Sequence, residues 1–166
     1  MERKKGKRVW KRLIIIAAVL LIAFLVFYHF RLHDYSKPNI FEIPETEDSW
    51  STSGRKECYD RYYMVQEVPK TRAENEKMIF DFIEQNNIVS ESFEYETNGL
   101  ALHFCVPSFD FPVYYEDPKT EWAWYAQVDY YKDNLFFIVR YDTEYSEPEF
   151  YYFEIYNEDV IVKFED

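Results

Sequence analysis

Residues 13–30 read LIIIAAVLLIAFLVFYHF, eighteen consecutive positions without Asp, Glu, Lys or Arg. At about 1.5 Å of rise per residue, an α-helix over them reaches roughly 27 Å, close to the ~30 Å hydrocarbon core of a bilayer. No polar face interrupts residues 13–27, as a helix lying on a soluble core would require. Leu13, Ile14, Ile15, Ile16, Leu20, Leu21, Ile22, Phe24, Leu25, Val26 and Phe27 are therefore expected to face lipid, within a transmembrane signal-anchor helix over residues 13–33. Trp10 at one limit, with Tyr28 and His29 at the other, puts amphipathic rings at headgroup level.

The flanks of this run orient it. Arg3, Lys4, Lys5, Lys7, Arg8, Lys11 and Arg12 precede it, against Arg31 and Lys37 just after it. The positive-inside bias predicts a basic cytoplasmic tail over residues 1–12 and an extracytoplasmic C-terminal portion, hence a single-pass protein of the cell membrane. A cleaved signal peptide would place small residues ahead of the scissile bond, whereas Tyr28-His29-Phe30-Arg31-Leu32 follows the apolar run here. Ala17, Ala18 and Ala23 are its only small residues, so tight pairing of spanning helices is weakly supported.

Beyond residue 37 the chain carries ten basic and twenty-nine acidic residues, a net charge of about −19. Such a field repels nucleic acid and favours a basic protein or peptide as partner. Fourteen tyrosines in the same region supply enough apolar surface to argue for a folded domain over a disordered acidic tail. No N-x-[ST] sequon is present, which fits a bacterial origin.

Organisation follows from punctuation and period. Residues 34–56 are polar, with Pro38, Pro44 and Gly54, and read as a stalk, with residues 57–166 as one acidic, aromatic-rich domain. Cys58 to Val68 suggests a first strand. Thr71 and Glu74 then form a T-x-x-E capping box ahead of Met78, Ile79, Phe82 and Ile83, an apolar stripe opposite Lys77, Asp81 and Glu84. The helix is expected to end around Asn86-Asn87.

From Ile88 the period changes to two. Phe93 and Tyr95 alternate with acids, Asn98-Gly99 gives a hairpin signal, and Leu100 to Val106 returns with Leu100, Leu102, Phe104 and Val106 on the buried face. Further strands are expected at residues 121–131, 135–141, 149–156 and 160–164. Short connections imply antiparallel neighbours. The fold class is therefore α+β: an N-terminal transmembrane helix, then a single amphipathic helix packed on an antiparallel meander of about five or six strands.

Motifs for chemistry are scarce. His103 is the one histidine beyond the anchor and its flank, and no C-x-x-C, H-E-x-x-H, calcium loop, phosphate-binding loop or nucleophile elbow occurs, so no metal or other cofactor is expected. Cys58 and Cys105 both fall on the exported side and are a candidate disulfide. His103 and Cys105 stand two apart on one strand face, the spacing of a Cys–His dyad, although no flanking motif orients a base or substrate. Trp122 and Trp124 share a strand face. Core burial under the helix is the favoured reading, and with Tyr130 and Tyr131 they make a candidate binding surface.

The leading expectation is a membrane-anchored binding or interaction module rather than an enzyme, contacting the bilayer through residues 13–30. An extracytoplasmic hydrolase using carboxylates or His103, and a structural subunit of a membrane complex, are the alternatives.

Overall fold

The structure, a computed structural model, describes residues 2–43, 48–52, 56–89, 99–108, 113, 133–142, 147–153, 155 and 162–165. A long N-terminal helix, α1 (Glu2–Leu32), precedes strands β1 (Ile40–Glu42), β2 (Asp48–Thr52) and β3 (Lys56–Val65). Helix α2 (Arg72–Gln85) follows, then β4 (Gly99–Cys105), β5 (Leu135–Asp142) and β6 (Glu149–Tyr152). The chain is α+β, as its periodicity predicts.

The sheet is mixed, which corrects the expected antiparallel meander. β1 and β2 lie end to end along one side of β3, both antiparallel to it, and together occupy one strand position. On its other side β3 runs parallel to β4, and β4–β5 and β5–β6 are antiparallel. Among the described residues the order is thus β1/β2, β3, β4, β5, β6. Parallel neighbours cannot be joined by a hairpin and need a crossover, which α2 lies within. The strand and hairpin expected around residues 90–98, the strand at 121–131 and residues 156–161 between the last two expected strands lie outside the described residues. At the C-terminal end, residues 162–165 have no regular structure, so the expected strand at 160–164 is absent from its described part.

Two strands also fall inside the expected stalk. Ile40 pairs in register with Val65 and Trp50 with Cys58, so part of residues 34–56 belongs to the sheet. Their short lengths, three and five residues, hide them from a search for periodicity.

α2 starts as its sequence dictates. Thr71 is extended and its hydroxyl oxygen accepts from the Glu74 amide at 3.3 Å, while it donates to the Glu74 carboxylate at 3.0 Å. Asn86 caps the far end, and Asn87 adopts φ 51, the left-handed region that Asn tolerates better than most residues. Lys77 pairs with Asp81 one turn away on the outer face.

The inner face of α2 buries Ile79 and Ile83 against Tyr63, Leu100, Leu102, Phe104, Phe137 and Val139. Aromatic rings fill this layer: Tyr63 stacks on Phe104 at 5.3 Å between centroids and meets Phe82 edge-on at 5.4 Å. A register shift between Phe104 and Cys105 leaves Phe136 as an extra residue on β5. That bulge lets consecutive phenylalanines, Phe136 and Phe137, both join this core. Asn75, on the buried side of α2, reaches Tyr152 Oη at 3.5 Å, which in turn donates to the Arg72 carbonyl and to Glu76.

Truncating the fully buried Leu102 to alanine should cost about 2–5 kcal/mol by lost transfer energy and a residual cavity. Thr71→Ala should cost about 1 kcal/mol through loss of the cap. Urea unfolding of the full chain in detergent checks both, and an unchanged midpoint for Leu102→Ala would contradict this core.

Candidate functional site

The apolar run lies wholly within α1. A span of 23 residues, Trp10–Leu32, is long and apolar enough to cross a membrane, and none of it is buried. At about 1.5 Å per residue it extends roughly 35 Å. The side chains expected to face lipid, from Leu13 to Phe27, are exposed all around the helix.

The exit from α1 is tightly built. Gln66, immediately after β3, accepts from the Asp34 amide at 2.5 Å, and its own amide group donates to the carbonyls of Asp34 at 3.1 Å and Pro38 at 2.9 Å. Asn39 and Glu67 exchange two further bonds, Asn39 Nδ2 to the Glu67 carbonyl at 2.9 Å and the Glu67 amide to Asn39 Oδ1 at 2.7 Å. His33 Nε2 lies 3.1 Å from Glu67, and the Val113 amide donates to the Arg31 carbonyl at 2.8 Å, satisfying one of the acceptors that a helix C-terminus leaves open.

Asp34 closes a local turn, accepting from the Ser36 hydroxyl at 2.6 Å and the Ser36 amide at 2.9 Å. Those two bonds hold its carboxyl below the ordinary aspartate value. Tyr35, by contrast, is 67% exposed, with its ring stacked on His33 at 4.2 Å.

The face of the sheet away from α2 holds His103 and Cys105. His103 Nε2 lies 3.0 Å from Asp60 Oδ1, and its ring stacks on Tyr62 at 4.4 Å. Cys105 instead packs with Ile43, Met64 and Val113 in a second apolar cluster. Burial pushes its thiol well above the ordinary cysteine value. A nucleophilic cysteine needs the opposite shift, so the spacing that suggested a Cys–His dyad yields an Asp–His pair beside an inert thiol. Neither side chain faces outward freely: Val113 packs on Cys105, and Asp60 and Tyr62 enclose His103.

The expected Cys58–Cys105 disulfide conflicts with the strand register. Cys58 stands opposite Gly99 and Cys105 beside Met64, six positions further along β3. That separation is roughly 20 Å at about 3.3 Å per residue. A disulfide spans at most about 7 Å between Cα atoms.

Other sequence candidates distribute unevenly. Trp122, Trp124, Tyr130 and Tyr131 lie outside the described residues. Among the described residues no group of three or more His, Cys, Asp or Glu is arranged to hold a metal ion. The consecutive tyrosines of β3 divide between its faces as period two demands: Tyr63 enters the core while Tyr62 covers His103. At β6, Tyr152 turns inward, whereas Phe150, Tyr151 and Phe153 remain 42–43% exposed. Tyr151 donates to Glu149 at 2.8 Å and lies under Arg140 at 5.7 Å. A groove of about 590 Å³ runs between α2 and residues 38–40, floored by Ile40, Met78 and Phe82.

Sequence reasoning missed Gln66, Asn39 and Asp60. The Asp34-x-Ser36 turn was a readable sign that the chain is ordered just past α1. No family model matches the chain, and no curated protein or solved structure compared with it does so either.

Alkaline stability tests the burial of these groups. Cys105, Tyr141 and Tyr152 all have folded-state values raised chiefly by desolvation. The unfolded chain therefore releases these protons first, and stability falls as pH rises. Their contribution is complete below the unfolded values, about 8.5 for the thiol and about 10 for the phenols, and declines above them. Urea midpoints should drop progressively above about pH 9 and less steeply in Cys105→Ala. Flat midpoints through that range would refute the burial.

Proposed function

We propose that the chain is a single-pass membrane protein that holds an acidic α+β domain at the extracytoplasmic face as a binding module for a basic protein or peptide. The observation that carries this reading is the span Trp10–Leu32, 23 residues long with no part of it buried. An apolar helix of that length exposed to water would aggregate, and a bilayer core satisfies it. The orientation rests on the basic residues ahead of the span and the acidic excess beyond it. The binding role rests on that acidic field together with the exposed ring of Tyr151 beside Glu149 and the exposed ring of Phe153.

Sodium carbonate at high pH should leave the protein in the membrane pellet, and protease added to intact cells should remove a C-terminal tag while sparing an N-terminal one. Release by carbonate, or a mature chain lacking residues 1–30, would overturn the anchor. A tag lost from the N-terminus instead would reverse the orientation.

Binding has a separate signature. Capture of a lysine-rich peptide by the full-length protein in detergent should weaken steeply as salt rises, because long-range attraction is screened beyond a Debye length of about 8–10 Å at moderate ionic strength. Salt-insensitive capture would count against an electrostatic partner.

A further inference from the structure

The exit of α1 leaves almost no slack between the spanning helix and the sheet. α1 ends at Leu32, and by Asp34 the chain is already held through both its amide and its carbonyl by Gln66, the residue following β3. The next residues are no freer: Gln66 reaches the Pro38 carbonyl, Asn39 and Glu67 are doubly bonded, and Ile40 opens β1. Fully extended, residues 33–39 could stand the sheet off from the helix end by roughly 23–25 Å. The Gln66 clasp reduces that distance to the single residue, His33, that separates Leu32 from Asp34.

A headgroup layer occupies roughly 5–8 Å on each side of the hydrocarbon core. A helix that fills the core to Leu32 therefore brings Asp34, and whatever bonds directly to it, into that layer. The local charge suits the location. Residues 29–39 and 66–72 contain Arg31, Lys37, Lys70 and Arg72 against Asp34 and Glu67, although the chain beyond residue 37 is strongly acidic. Asp34 accepts from Ser36, and Glu67, though 75% exposed, pairs with His33. Lys70 remains largely exposed while pairing with Glu165, and Lys37 lies 4.4 Å over the Phe41 ring. Tyr35, exposed one residue past Asp34, is the amphipathic ring that such a boundary favours.

We propose that this clasped exit is a lipid-contacting surface: Tyr35, Lys37 and the 66–71 loop sit among the phosphates of the bilayer that α1 spans, seating the domain on the membrane with no stalk between them. The proposal rests on the anchor reading above and goes beyond it in fixing where the domain stands. Basic side chains in the loop and at the helix exit offset the repulsion that an acidic domain meets at an anionic surface, and their attraction is confined to about a Debye length.

The test uses the full-length protein in vesicles of phosphatidylcholine and phosphatidylglycerol, with a fluorescent amino acid incorporated at position 35 or at position 70. Nitroxide attached to the lipid headgroup serves as the quencher. Strong quenching at both positions is the expected result, and Gln66→Ala should cause loss of quenching at position 70 while position 35 keeps it. Quenching at 35 alone in the unaltered protein would overturn the seating and leave the anchor standing. Quenching at neither, with release of the protein by carbonate, would remove both. Equal quenching at 70 with and without Gln66→Ala would show that the clasp does not set the distance and would also overturn the proposal.

Discussion

β3 is the element on which the rest depends. It is flanked on both sides, by β1 and β2 along one edge and by β4 along the other, and its C-terminal end runs directly into Gln66 and Glu67. Its parallel pairing with β4 forces the chain to cross over, and the crossover carries α2 onto the face where Tyr63 lies. A single ten-residue strand thus sets the sheet order, the position of the helix and the attachment of α1. Disruption in its middle would be felt at all three, because interiors packed to crystal-like density transmit local changes.

What could be read from sequence was what is local. The N-cap at Thr71, the stripe of Ile79 and Ile83, and the alternation of Leu100, Leu102 and Phe104 each require only a few neighbouring residues, and each is present, with the Glu74 carboxylate meeting the Thr71 hydroxyl. Strand partnership is a different kind of fact. Cys58 to Val65 and Leu100 to Cys105 look the same whether they run parallel or antiparallel, since side-chain alternation is identical in both. β1 and β2 are too short to show a period and sit among prolines and serines that imitate a linker. The bulge at Phe136 was hidden because consecutive phenylalanines obey no single period. Gln66 was illegible for a further reason: a side chain that binds backbone carbonyls leaves no repeating trace.

The chemistry of the second sheet face turns on solvent access. His103 and Cys105 have the spacing of a catalytic pair, but the thiol belongs with Ile43 and Met64 in an apolar cluster that disfavours its charged form. His103 is occupied by Asp60 and by the ring of Tyr62. An Asp–His pair stacked beneath an aromatic ring meets the general rule that buried polar groups find partners, and needs no reaction to explain it. The acidic excess, the trait most visible in composition, is a property of the whole field and does not depend on any one such group.

The clasp at the end of α1 bears on how such a domain would work. A flexible stalk leaves the domain to sample many orientations, and a partner that needs one of them must supply the ordering free energy when it binds. Here Asp34, Pro38 and Asn39 are ordered by Gln66 and Glu67 in the folded chain itself, so that entropy is lost during folding and is not lost again on association. A domain attached this way gives up reach for preorganisation. Under the proposed binding role, a fixed orientation would raise the fraction of encounters that are productive, at the expense of the distance over which the domain can search.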